Sequence, residues 1–392
     1  MSASDHSPSH RRSDLPRVVI VEEGMREGMQ IESAAIPVAD KIKLLDALSV
    51  TGLRHIVTGS FVSPKWVPQM SEVESVIAGF KPQPGVTYTA LALNARGVQR
   101  RSDFVPPLAP PDRVGRSMLH LCDVFLQRNT ARTAAAERNA LPELIAAAAV
   151  TGVDSATVAV NAAWGSNWLG GFTESQRNEA ISHQIDLWQA AGVPTTAVYL
   201  GDPMSWNTPS AVESQILSIL QAWPQMGTFH LHLHDGRGSA LTSAYSALRT
   251  LDSRHTLIID SAIGGMGGCP YCGNGRATKM IPTEDLVDLL EEEGVSTGVD
   301  IDRLIAAAIL AEEVVGHELY GHVSKTGPRP RGARLYPMDM PLVETFEQAQ
   351  HFRLGPDVYA ECPKPWRSPL VSAHRAALDD ALAASDATGA GR

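Results

Sequence analysis

Eight short apolar runs, each followed by a longer stretch with polar and apolar residues at helical spacing, constrain this chain more than any other feature. The runs are Arg17 to Glu22, Leu53 to Thr58, Val86 to Leu91, Ser117 to Cys122, Ser155 to Val160, Thr195 to Leu200, Thr228 to His234 and Thr256 to Asp260. The first, RVVIVE, is typical: six residues, rich in β-branched side chains and closed by Glu-Glu-Gly, the pattern of a buried strand. Helical spacing recurs over 40–50, 67–78, 94–102, 137–151, 173–191, 209–222 and 238–251, with a further turn near 129–138. Strands too apolar to face water, alternating with helices, predict a parallel sheet covered by helices. Eight such units closing on themselves make an α/β fold of the TIM (β/α)8 barrel type. A doubly wound open sheet is the alternative, but no glycine-rich phosphate loop follows the first run.

These features divide the chain into a polar leader over 1–16, a barrel over 17–300, a helical and loop extension over 301–372 and an Ala-rich tail over 373–392. The leader is expected to be disordered, because it lacks the apolar segment of a secretory signal. Two helices are expected past the barrel, at Thr283 to Glu293 and Ile301 to Val315. The formal net charge of −10 offers nothing to nucleic acid or an anionic membrane, and no run approaches the roughly 18 apolar residues of a membrane span. Four cysteines, Cys122, Cys269, Cys272 and Cys362, form no disulfide framework, as expected of a protein from a reducing cytoplasm.

In a TIM barrel, chemistry collects at the carboxyl ends of the strands. The first such end reads Glu22 to Gln30, EEGMREGMQ. The second carries Ser60, the fifth Asn161, the sixth Asp202 and the eighth Asp260. The seventh is Phe229 to Asp235, FHLHLHD, which puts His230, His232 and His234 on one face if it is extended. Three imidazoles ended by a carboxylate are either hydrogen-bonded core histidines or ligands to a divalent cation. Acids, paired histidines and Arg26 converging on one mouth favour the cation, with the guanidinium left to neutralise an oxyanion. Gln30, Ser60 and Asn161 are candidates for substrate contact.

After the eighth run comes GGMGGCPYCGNG, 264–275. Its glycines permit close backbone approach and a mobile lid, and Cys269 on such a loop can serve in proton transfer. Cys269 and Cys272 form a single CxxC, for which zinc and redox roles are minor alternatives. His317 and His322 read as surface histidines.

The chain resembles the 3-hydroxy-3-methylglutaryl-CoA lyase family of TIM-barrel metallolyases and Claisen-type synthases over roughly residues 17 to 300. SFVSPKWVPQM (60–70) carries most of the likeness, with GGCPY (267–271), PTEDLV (282–287), HLHD (232–235), LGD (200–202) and REGMQ (26–30). The resemblance implies that Arg26 polarises a substrate carbonyl, and that Glu27, His232 and His234 hold a divalent metal, Mg or Mn, with Zn as a lesser option. It further implies catalytic roles for Asp202 and Cys269, and a retro-Claisen cleavage of a 3-hydroxyacyl-CoA. Four positions depart from the family pattern. Glu27 stands in place of aspartate and Val57 in place of a strand-two glutamate. Met280 occupies the place of an asparagine ligand, for which Asn274 is the candidate substitute. Arg237 also takes an aromatic position. Two other readings stay open: a condensing enzyme acting on a 2-keto acid, and a barrel without catalysis that binds a partner. Assembly as a homo-oligomer is a further expectation from the family.

Overall fold

The computed structural model describes residues 14–273 and 278–335. Asn274 and the tail beyond 335 lie outside the described residues, as does the leader before 14. Contacts divide the chain into two units, one ending at Ser324 and one covering Lys325–Arg392.

Eight strands form the first unit's sheet: β1 (Arg17–Glu22), β2 (His55–Ser60), β3 (Thr87–Leu91), β4 (Val114–His120), β5 (Ser155–Asn161), β6 (Thr195–Asp202), β7 (Thr228–Leu233) and β8 (Thr256–Ser261). Their order is β3-β2-β1-β8-β7-β6-β5-β4, every neighbour parallel. This is a TIM barrel whose seam falls between β3 and β4. There Leu108 bridges to Tyr88, and Ala109 N–H donates to Tyr88 O at 2.8 Å.

The helices on the outside are α1 (Val38–Ser49), α2 (Val73–Gly79), α3 (Ala95–Ser102), α4 (Asp123–Thr130), α5 (Ala134–Val150), α6 (Glu174–Ala190), α7 (Pro209–Ala222) and α8 (Ala240–Thr250). Their boundaries follow local chemistry. Thr173 and Gln176 close a capping box on α6, Thr208 caps α7 ahead of Pro209, and Asn94 caps α3. The expected helix over 67–78 is broken: a 3-10 turn over Pro68–Met70 precedes α2, because Glu72 leaves helical geometry (φ −111°, ψ 23°). Apolar helix faces meet the outward side chains of the strands. On β4, for example, Gly115 and Ser117 face α6, where a Cβ on Gly115 would lie 2.3 Å from the Trp188 ring and Ser117 accepts the indole N–H.

Past the barrel, α9 (Thr283–Glu292) and α10 (Ile301–Val315) belong to the same unit. Asp300 caps α10, its own N–H reaches Thr51 O at 2.7 Å, and Arg303 reaches Val50 O at 3.0 Å, tying the helix to the end of α1. No described helix is long and apolar enough to cross a membrane.

Candidate active site and metal centre

Strand register brings the site together. Thr228 pairs with Thr256 and the offset persists to Leu231 with Ile259, which puts His232 level with Asp260. His232 Nδ1 and Asp260 Oδ2 are 2.8 Å apart, and His230 Nε2 lies 2.6 Å from Asp260 Oδ1. One buried carboxylate therefore holds two imidazoles one strand repeat apart. Burial works against its charge, but the two histidines outweigh that and keep Asp260 below the usual carboxylate range. His234 Nδ1 is hydrogen-bonded to the Thr278 carbonyl. With both Nδ1 atoms engaged, His232 and His234 keep Nε2 available. Burial and then His232 lower the pKa of His234 to about 4, so its ring is neutral near pH 7, the form that binds metals.

The third member comes from the turn after β1. Gly24–Gly28 is a single π-helical turn, a geometry frequent at functional sites. It sets Arg26 and Glu27 at the mouth. A side chain on Gly24 would meet Glu22 Oε1 at 2.6 Å and Ile263 Cγ2 at 2.9 Å, so the turn packs tightly only with glycine there. Glu27 Oε1 lies 3.7 Å from His234 Nε2. The donor atoms of Glu27, His232 and His234 all lie within 4.8 Å of one another, and no other trio of His, Cys, Asp or Glu among the described residues does so. Burial opposes the charge on Glu27, yet Arg26, His234 and His232 together hold its carboxyl below the ordinary range.

This donor set fits a divalent cation. Glu23 and Glu27 share one guanidinium and Asp260 lies buried beside them, and such an excess of buried carboxylates needs positive charge. Two imidazoles, each oriented through Nδ1, and one carboxylate are borderline-hard ligands suited to Mg, Mn or Zn. Glu27, His232 and His234 would hold the ion.

The other expected residues fall around this trio. Asp202 is fully buried: Oδ2 accepts the Asn207 N–H and side-chain amide at 2.6 and 2.7 Å, while Oδ1 has no partner among the described residues. Burial raises its pKa. Gln30 donates to Glu27, and Ser60 Oγ is buried without a described partner. Asn161 accepts from Ala162 N–H at 2.8 Å, and its amide nitrogen lies 3.4 Å from His120 Nε2. Met280 is fully buried, bridged through its backbone to His234.

The Cys269 loop is shaped by glycine: Gly264, Gly265, Gly267 and Gly268 have φ of 63°, 70°, 110° and 148°, values that L-residues with side chains rarely adopt. A Cβ on Gly267 would lie 3.4 Å from Glu27 O, so the loop passes directly over the backbone of a candidate ligand. Cys269 is buried, and its N–H donates to Thr278 Oγ1 at 2.8 Å. Cys272 hydrogen-bonds Cys269, the first reason its thiol is pushed well up, with burial second. The described cysteines are free, and none joins a metal trio. His317 and His322 pair with Glu32 and Asp285. Glu23, paired to Arg26, is the residue sequence reasoning passed over. Its one signal was position, directly after β1 at the strand end where chemistry collects.

A barrel mouth holding a cluster of two histidines and a glutamate, a fixed arginine and a thiol on a glycine loop defines a TIM-barrel enzyme with a candidate metal site. The chain belongs to the HMGL-like family, whose model matches residues 17–310. It is 33% identical over 302 residues to the 3-hydroxy-3-isohexenylglutaryl-CoA/hydroxy-methylglutaryl-CoA lyase of Pseudomonas aeruginosa, covering 75% of this chain and 92% of that protein. It is 31% identical over 291 residues to the mitochondrial hydroxymethylglutaryl-CoA lyase of Bos taurus, covering 74% and 83%. Among solved structures, an HMG-CoA lyase from Acinetobacter baumannii in complex with coenzyme A and 3-methylmalate matches at a TM-score of 0.65 and 27% identity, covering 83% of this chain and 97% of that one.

Proposed function

We propose that this protein is a divalent-metal-dependent carbon–carbon lyase that cleaves a 3-hydroxyacyl-CoA to an acyl-CoA and a keto product. The observation that carries the reading is the convergence of the Glu27–His232–His234 trio, Arg26 and the Cys269 loop at one barrel mouth. When bound, Mg or Mn would supply Lewis acidity to the substrate hydroxyl. The chain's own residues do the rest. Asp202, with a raised pKa and an Oδ1 that has no hydrogen-bond partner among the described residues, takes the hydroxyl proton. The bond between C2 and C3 breaks, its electron pair passes to C2, and C3 becomes the ketone carbon. Arg26 stabilises the thioester enolate oxygen, and the Cys269 thiol protonates C2. A CoA thioester is the substrate class we infer, supported by the names of the relatives and the coenzyme A in one neighbour. Free thiols and the 31% identity to a cytoplasmic lyase of Mus musculus support a reducing compartment.

The test is to incubate the Mg- or Mn-loaded protein with 3-hydroxy-3-methylglutaryl-CoA and with homologues carrying longer 3-substituents. Release of acetyl-CoA and the matching 3-keto acid is expected, together with loss of turnover in Cys269→Ser. Consumption of a 2-keto acid with acyl-CoA and release of free CoA, without cleavage, would establish the condensing direction in its place.

A further inference from the structure

We infer that Glu23 is the positioning residue for Arg26, and that it does from the residue directly after strand β1 what a carboxylate at position 57 on strand β2 would do. The inference rests on the lyase reading for its catalytic consequence and on geometry for the clamp itself. Two carboxylates grip the guanidinium: Glu23 Oε2 lies 2.7 Å from Nε, and Glu27 Oε2 lies 2.5 Å from Nη1. Both acids are buried, at 6% and 5% exposure, while the Arg26 side chain keeps 17%. Among the described residues no hydrogen bond engages Nη2, so the clamp leaves one edge of the guanidinium for a substrate oxygen.

Two partners are needed because Glu27 has a second task. Its Oε1 faces His234 Nε2 and belongs to the metal trio, so Glu27 alone would couple the arginine to every movement of the cation. Glu23 is outside that trio and anchors the opposite side of the guanidinium. The register explains why this carboxylate sits directly after β1. Glu22, the last residue of β1, pairs with Ile56, so Glu23 and Val57 each follow directly after a paired residue on adjacent strands, which run roughly 5 Å apart. The family resemblance assigns a glutamate to that strand-two position. Here the position is apolar and buried, and the acid stands one strand over.

The experiment compares wild type, Glu23→Ala, Glu23→Gln and the double variant Glu23→Val/Val57→Glu. Each is loaded with Mg, assayed on 3-hydroxy-3-methylglutaryl-CoA, checked for metal stoichiometry by elemental analysis, and melted. Glu23→Ala is expected to lose about 100-fold in kcat, as a misplaced catalytic group does, with KM, metal content and melting temperature close to wild type. Glu23→Gln, which can still accept from Nε, should lose less. The double variant should recover at least about ten-fold of the loss, which a purely structural role for Glu23 would not produce. Full kcat in Glu23→Ala, or no recovery in a folded double variant, overturns the inference. A crystal structure of Glu23→Ala with the guanidinium unmoved overturns it whether or not the protein cleaves any 3-hydroxyacyl-CoA. A wild type inactive on every such thioester removes the lyase reading alone, and leaves the clamp to be decided by that structure.

Discussion

His232 and His234 differ in what orients them, and that difference has consequences. His232 is held by Asp260, a charged carboxylate shared with His230, and His234 by the neutral carbonyl of Thr278. A carboxylate makes its imidazole a stronger ligand than a carbonyl does, so Asp260 reinforces one side of the site. Replacing either candidate ligand removes a third of the trio. His232→Ala and His234→Ala should each reduce bound Mn or Zn from one equivalent toward zero by elemental analysis. Asp260→Asn should retain metal with affinity weakened by roughly 10- to 100-fold in a competition titration against a chelator.

Two turns, more than any strand, make the mouth. The π-helical turn over Gly24–Gly28 and the glycine loop over 264–268 pack on one another: Gly24 faces Ile263, and a Cβ on Gly28 would lie 2.9 Å from Met266 Cβ. Glu22 ties them further, accepting from Gly24 N–H at 2.7 Å, Ile263 N–H at 2.9 Å and the Thr283 hydroxyl. Gly24→Ala should therefore destabilise by about 1–3 kcal/mol in urea unfolding, the usual cost of overpacking. Activity should fall further than stability, since Arg26 and Glu27 ride on the displaced turn.

At the scale of the whole unit, two buried acids outside the metal trio shape how stability depends on pH. Burial raises Glu22 to about 7 and Glu284 to about 8. Glu284 Oε2 accepts the Gly264 N–H at 2.9 Å, and Oε1 has no described partner. An acid raised on folding stays protonated in the native state over a range where the unfolded chain has already released the proton. Its contribution is fully present below about pH 4.5, and it is lost as pH rises through the folded value. Glu284→Gln carries no such proton. The melting temperature of the variant relative to wild type should thus climb between pH 5 and pH 9, by an amount on the order of 1–3 kcal/mol of stability. A difference that is flat with pH would show that Glu284 does not titrate in this range.

Much of this protein is written in local chemistry. Alternating apolar runs and amphipathic helices specify a parallel sheet covered by helices, and the count of eight units predicts its closure into a barrel. Motifs such as HLHD and GGMGGC mark their own places at the strand ends. Tertiary structure decided which side chains cooperate. Whether FHLHLHD was core or metal site depended on the partners of each ring, and those come from strand register: His230 turns to Asp260, leaving His232 and His234 for Glu27. Glu23 looked like any acid after a strand. It became the grip on Arg26 because a π-turn folds the chain back by three residues, a contact that strand periodicity does not encode.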